Sequence, residues 1–127
     1  MRIIKFRYRL RLISNHWGDY KEGDIITFYM NLNNESNGLA KFSIDERWQI
    51  VTCDEWTGLE DKNGIDIYEG DIVERSISGA TPTTTDEVYF YKGSFVIGAG
   101  NFIKPLSYFF ILEVIGNIHQ NPELINN

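Results

Sequence analysis

The sequence predicts an all-β protein, a small SH3-like barrel, and three observations carry that expectation. Apolar and polar residues alternate with period two over residues 3–13, the mark of a half-buried strand. Gly, Asn and Asp recur at short intervals, as the turns between short strands require. No segment sustains helical periodicity over three turns, while the chain holds 8 Phe, 7 Tyr and 3 Trp, residue types that suit packed sheets. At 127 residues a single domain spanning 1–127 is expected, long enough to bury a core without metals or disulfides.

The first strand places Phe6, Tyr8, Leu10 and Leu12 on one side and Lys5, Arg7, Arg9 and Arg11 on the other. The charged side has three readings: a solvated face, pairing with an acidic neighbour strand, or a face for anions or nucleic acid. Phe6 and Tyr8 point away from it, so the aromatic interleaving of a base-stacking platform is absent. A turn at Gly18 then leads to a strand over 24–30. Its entry, Glu22-Gly23-Asp24-Ile25-Ile26, echoes Glu69-Gly70-Asp71-Ile72-Val73 further on. A Gly-Asp turn entering a β-branched strand suits an SH3-like barrel. Five residues are read as one turn solution used twice rather than as a repeat.

Asn31 to Gly38 is an Asn-rich loop. Two strand pieces, 40–43 and 48–53, flank a segment in which Ser43 and Glu46 have capping-box spacing. Residues 56–73 hold two reversals, Asp61-Lys62-Asn63-Gly64 and Tyr68-Glu69-Gly70-Asp71. Asn and Gly both tolerate a left-handed backbone there. Ser76 to Thr85 is read as a loop. Glu87 to Tyr91 and Ser94 to Ile97 form a hairpin around Lys92-Gly93, and Gly98 to Asn101 is a further reversal. Phe109 to Ile115 is expected as a buried central strand. At the end, Asn121 caps one helical turn with Pro122 in its first position.

Trp56 to Val73, Glu113 to Leu124 and the opening Met1 to Arg7 together resemble the YopX family, small proteins encoded by phages and prophages. The resemblance implies a YopX-like β-barrel. It carries over no catalytic residue, because the family's biochemical role is unassigned. Gly58, Gly64, Gly70 and Asp71 are accordingly read as setting backbone geometry.

The formal net charge is −6, yet residues 1–11 hold five cations and no acid, leaving seven cations and eighteen acids in the rest. An acidic bulk argues against non-specific DNA binding, while a local basic face stays open. No apolar run is long enough for a membrane span, and the basic start leads into no apolar signal core. Cys53, the single cysteine, fits a reducing, cytoplasmic compartment and is read as a half-buried strand residue. With two histidines far apart, no metal site is expected and no cofactor is implied. Asp61-Lys62-Asn63-Gly64 is similar to the opening of a calcium loop, but the later ligand positions do not follow.

Asp66, Glu69, Asp71 and Glu74 cluster in sequence, and Asp71 is expected to bond its own turn backbone. Trp56 and Tyr68 are read as core residues or, with Asp71, as a protein-contact patch. The leading expectation is a non-enzymatic module that binds a phage or host protein or a second copy of itself. The alternative is a nucleic-acid accessory protein using Lys5, Arg7, Arg9 and Arg11, and a third is a hydrolase built on Asp66, Glu69 and Asp71.

Overall fold

Alternating and turn-rich patterning becomes antiparallel sheet, and the all-β expectation holds. The computed structural model of the chain describes residues 3–14, 16–31, 46–76, 84–108 and 111–125. Its strands are β1 (Lys5–Leu12), β2 (His16–Trp17), β3 (Tyr20–Lys21), β4 (Ile25–Asn31), β5 (Trp48–Glu60), β6 (Asp66–Tyr68) and β7 (Asp71–Ser76). They continue with β8 (Thr84–Glu87), β9 (Tyr89–Tyr91), β10 (Ser94–Ala99), β11 (Phe102–Pro105) and β12 (Ile111–Asn117). Short 3-10 turns cover Leu106–Tyr108 and Pro122–Leu124. The sheets run β4-β1-β5-β6, β11-β10-β9, β12-β7-β8 and β2-β3. Among the described residues these are open sheets, so the expected closed barrel gives way to several antiparallel ones. Irregular pairing at Arg9/Leu10 and at Val114/Gly116 breaks two of the ladders, and such bulges re-aim strands. The expected strand and cap around residues 40–45, most of the Asn-rich loop and most of the 76–85 loop lie outside the described residues.

The chain divides into two compact units, Met1–Trp56 and Thr57–Asn127. In the first, β1 lies between β4 and β5, and its alternation sends Leu10 and Leu12 into the core as expected. Those two and Trp48 form a buried cluster, with Tyr8, Trp17, Ile26, Phe28 and Met30 packed against it. The rings of Trp17 and Tyr20 stand 5.4 Å and 5.5 Å from that of Trp48, so the β2-β3 hairpin covers the indole.

The core of the second unit is Ile67, Val73, Val88, Ile97, Leu106 and Leu112, flanked by Phe95 and Val114. The strand expected over 87–91 breaks at Val88, a fully buried residue that stands outside both β8 and β9. Lys92 and Gly93 have φ of 49° and 83°, the paired positive values of a tight hairpin turn, as the sequence predicts. The expected central strand is corrected in position: among the described residues β12, Ile111–Asn117, stands at an end of its sheet rather than at the centre, while Phe109 and Phe110 lie outside the described residues. Its outer backbone edge is covered, as described below. The C-terminal turn forms over Pro122–Leu124, but the Asn121 side chain makes no capping hydrogen bond to it.

Candidate functional site

The sequence-predicted residues fall into separate environments. On β1, register sets Arg7 opposite Asp54 and Arg9 opposite Thr52. Arg7 donates from Nε at 3.1 Å and from Nη2 at 2.8 Å to Asp54 Oδ2, and both residues are buried. Arg9, also buried, donates from Nη1 to Thr52 Oγ1 at 3.4 Å and stands 4.0 Å from Asp54 Oδ2. Lys5 lies over the Trp56 ring at 3.9 Å, and Arg11 is exposed. The four cations therefore do not form one exposed row. Of the three readings of this face, pairing with an acidic neighbour strand describes Arg7 and Arg9. Asp54, the acid that makes this so, is 47 residues from Arg7, and local patterning gives no sign of it.

Tyr68 and Asp71 are both buried, while Trp56 is half-buried. Asp71 Oδ2 accepts the Tyr68 N–H at 2.8 Å, the turn role expected for it. Its echo behaves identically, with Asp24 Oδ2 accepting the Lys21 N–H at 2.8 Å. Gly23 and Gly70, just before these aspartates, have φ of 92° and 89°. Each turn is also clamped by a buried aliphatic residue. Gly23 donates to the Leu12 carbonyl at 2.8 Å while Leu12 donates to that of Asp24 at 3.0 Å. Gly70 donates to Val88 and Val88 to Asp71, each at 2.9 Å. Leu12 precedes its turn and Val88 follows its own, so opposite chain directions complete one turn design. Asp66 and Glu69 are half-buried nearby.

Asp61 is also buried and bonds backbone with both carboxylate oxygens. Its Oδ1 accepts the N–H groups of Asn63 at 2.8 Å and Ile65 at 2.9 Å, and its Oδ2 accepts that of Val114 at 2.9 Å. Burial pushes the carboxyl up, but these three donors, with Lys62 beside it, outweigh burial and hold it below its ordinary value. Lys62 N–H donates to the Leu112 carbonyl at 2.9 Å, and Lys62 Nζ stands 3.4 Å from Glu113 Oε1. In the C-terminal segment, Asn117 Oδ1 accepts from His119 at 3.1 Å and Gln120 at 2.9 Å. Asp61, Asp71 and Asn117 thus spend side-chain oxygens on nearby backbone.

The surface of the second unit that stands out is aromatic. Directly opposed residues of an antiparallel pair share a face. The pairs Phe90/Phe95, Ile97/Lys104 and Ala99/Phe102 therefore put Phe90, Phe95, Ile97, Lys104 and Phe102 on one face of β11-β10-β9; Ile97 is fully buried in the core and Phe95 flanks it, so Phe90 and Phe102 stand at the margins of that face. Phe90 packs edge-on against Phe95 at 5.2 Å, and Phe102 against Tyr108 at 6.4 Å. Phe90, Phe102 and Tyr108 are nonetheless 54%, 37% and 52% exposed. Lys104 lies over both Phe102 and Tyr108, at 5.9 Å and 5.4 Å, and Arg75 over Phe102 at 4.7 Å. Residues 57–127 hold ten acids against four cations, yet no acid lies between Val88 and Leu112. Alternation alone cannot say which of Tyr89, Phe90 and Tyr91 faces outward, so sequence reasoning missed this surface.

The family model described as YopX protein matches residues 13–126. Among solved structures the chain is similar to protein EF1440 from Enterococcus faecalis. Sequence identity is 24%, coverage is 94% of this chain and 96% of that one, and the TM-score is 0.48. No curated protein matches the chain.

Proposed function

The chain belongs to the YopX family, and from that premise we propose a phage- or prophage-derived, cytoplasmic, non-enzymatic module that binds a phage or host protein. The observation that carries this reading is the exposure of three aromatic rings at the margins of one sheet, Phe90 at one and Phe102 with Tyr108 at another, with Lys104 over the latter two. Aromatic residues are enriched at the centres of protein interfaces and supply large contact area with few rotatable bonds. A cation over an exposed ring adds about 0.5–1 kcal/mol and leaves its charge available to a partner. Trp56, Tyr68 and Asp71 have a different part in this reading. Tyr68 and Asp71 stabilise the turn from inside, and Trp56 is engaged by Lys5. A nucleic-acid partner gains less support, because Arg7 and Arg9 commit their guanidinium groups to Asp54 and Thr52.

The test is capture of partners by tagged protein from lysogenic host cells. The Phe90→Ala/Phe102→Ala double variant is compared with wild type and with Ile50→Thr, a substitution at an exposed apolar position on β5. Wild type and Ile50→Thr are expected to retain the same partner and the double variant to lose it, with circular dichroism unchanged. Undiminished capture by a folded double variant would remove these rings from the reading. Capture that vanishes on nuclease treatment and with added salt would replace the protein partner with nucleic acid.

A further inference from the structure

We propose that Asn63 is a self-modification site, at which the side-chain amide closes onto the Gly64 nitrogen to form a succinimide, and that Asp61 holds this reaction back in the folded protein. Both residues are exposed. Gly64 has φ of 80°, a left-handed backbone that glycine adopts without strain. The folded turn nevertheless engages every group the reaction needs. Gly64 N–H donates to the Asp61 carbonyl at 3.0 Å, and Asn63 N–H to Asp61 Oδ1 at 2.8 Å. Asn63 Nδ2 donates to Glu113 Oε2 at 3.4 Å. Asp61 is itself tied to Val114 and Lys62 to Leu112, so opening the turn breaks its docking on β12. Asp61 is therefore a positioning residue that holds the turn, and the Gly64 N–H with it, in its hydrogen-bonded form.

The chemistry needs only water. Gly64 N–H loses its proton to solvent base, and the nitrogen bonds to Asn63 Cγ. The Cγ–Nδ2 bond breaks, and ammonia leaves with a proton from water. A second water then adds to either ring carbonyl and opens the ring, giving aspartate or isoaspartate. The new carboxylate faces Glu113 where an amide had donated to it. Isoaspartate also inserts a main-chain carbon between the two N–H groups that Asp61 Oδ1 holds. Either product loosens the turn from β12 and uncovers the Val114 N–H and Leu112 carbonyl, edge groups able to pair with another strand.

Peptide mapping by mass spectrometry of full-length protein aged in mildly alkaline buffer tests the proposal. It separates Asn63 from Asn37, the chain's other Asn-Gly pair. Conversion at Asn63 is expected to be at least about tenfold slower in the folded chain than in urea, reflecting the cost of local opening. In folded Asp61→Asn protein the rate should rise towards the urea value. Should that variant fail to fold, Glu113→Ala frees the Asn63 side chain with Asp61 in place and should also convert faster than wild type. Equal rates in folded and unfolded wild type, or no acceleration in a folded variant, overturn the role given to the turn. Converted protein should show a larger mass by light scattering than Asn63→Gln protein aged alongside it. Equal masses overturn the edge-uncovering step.

Discussion

Asp61 Oδ2 accepts the backbone N–H of Val114 at 2.9 Å, joining residues 53 apart in sequence. Two residues before Val114, the Leu112 carbonyl accepts the N–H of Lys62. Residues two apart on a strand present their backbone groups to the same edge, and β7 occupies the other edge of β12. The 61–65 turn therefore finishes the sheet: a carboxylate and one N–H satisfy edge groups that would otherwise seek another strand.

Substitution at Asp61 separates the local from the long-range part of this arrangement. Asp61→Asn can keep an acceptor for Asn63 and Ile65 but turns an amide towards the Val114 N–H. It should cost about 1–3 kcal/mol, the penalty of one unsatisfied buried donor. Asp61→Ala loses all three bonds and should cost about 2–4 kcal/mol. Urea unfolding of both variants checks this, and equal losses would mean that the local bonds to Asn63 and Ile65 contribute nothing beyond the Val114 bond.

The pH dependence follows from the same carboxyl. Its folded value lies below the ordinary 3.8, so the unfolded chain takes up its proton first as pH falls. The stabilisation is complete above 3.8 and disappears as pH drops through the folded value. The stability difference between wild type and Asp61→Asn should be flat at neutral pH and shrink only in that acid window. A difference that declines near neutrality would assign the effect to another group.

What could be read from the sequence was local. The Gly-Asp turns, the Lys92-Gly93 hairpin and the core side of β1 depend on residues a few positions apart, where backbone preference and alternation decide the outcome. The fate of Arg7 and Arg9 was not local, because their burial depends on the register that brings Asp54 alongside. The same is true of the break at Val88. Val88-Tyr89-Phe90-Tyr91 has uninterrupted strand propensity, and the interruption arises where Gly70 and Asp71 take both backbone groups of Val88. β12 reads as a central strand because it is apolar, and only the docking of Lys62 and Asp61 shows that its covered side is an edge.

The buried pair of Arg7 and Asp54 makes a prediction of opposite character for single and double substitution. Asp54→Leu leaves the Arg7 guanidinium buried without that carboxylate and Arg9 without its nearby acid, and should cost about 3–5 kcal/mol. Arg7→Leu with Asp54→Leu removes both charges, so it should cost less than the two single changes added together. A double-mutant cycle read by denaturant unfolding gives the coupling energy, and additive losses would show that the 2.8 Å contact is energetically idle.

Two glycines in one hairpin distinguish backbone conformation from space. Gly98 has φ of 109°, and a Cβ there would be driven into the Phe102 carbonyl oxygen, main-chain atoms of the paired strand β11. Gly100 has φ of 61° with nothing within 4 Å of a Cβ. Gly100→Ala should therefore cost about 1–2 kcal/mol, the penalty of a left-handed backbone alone. Gly98→Ala carries the conformational strain and must also move β11 off β10, so it should lose at least about 2 kcal/mol and exceed Gly100→Ala. The Gly98 carbonyl accepts the Tyr89 hydroxyl at 2.9 Å, so the displacement should reach β9 and alter the near-ultraviolet circular dichroism of its tyrosines. Equal melting temperatures for the two alanine variants would mean that the hairpin yields at Gly98 without cost, and that the aromatic face it carries is softer than the close approach of Phe102 implies.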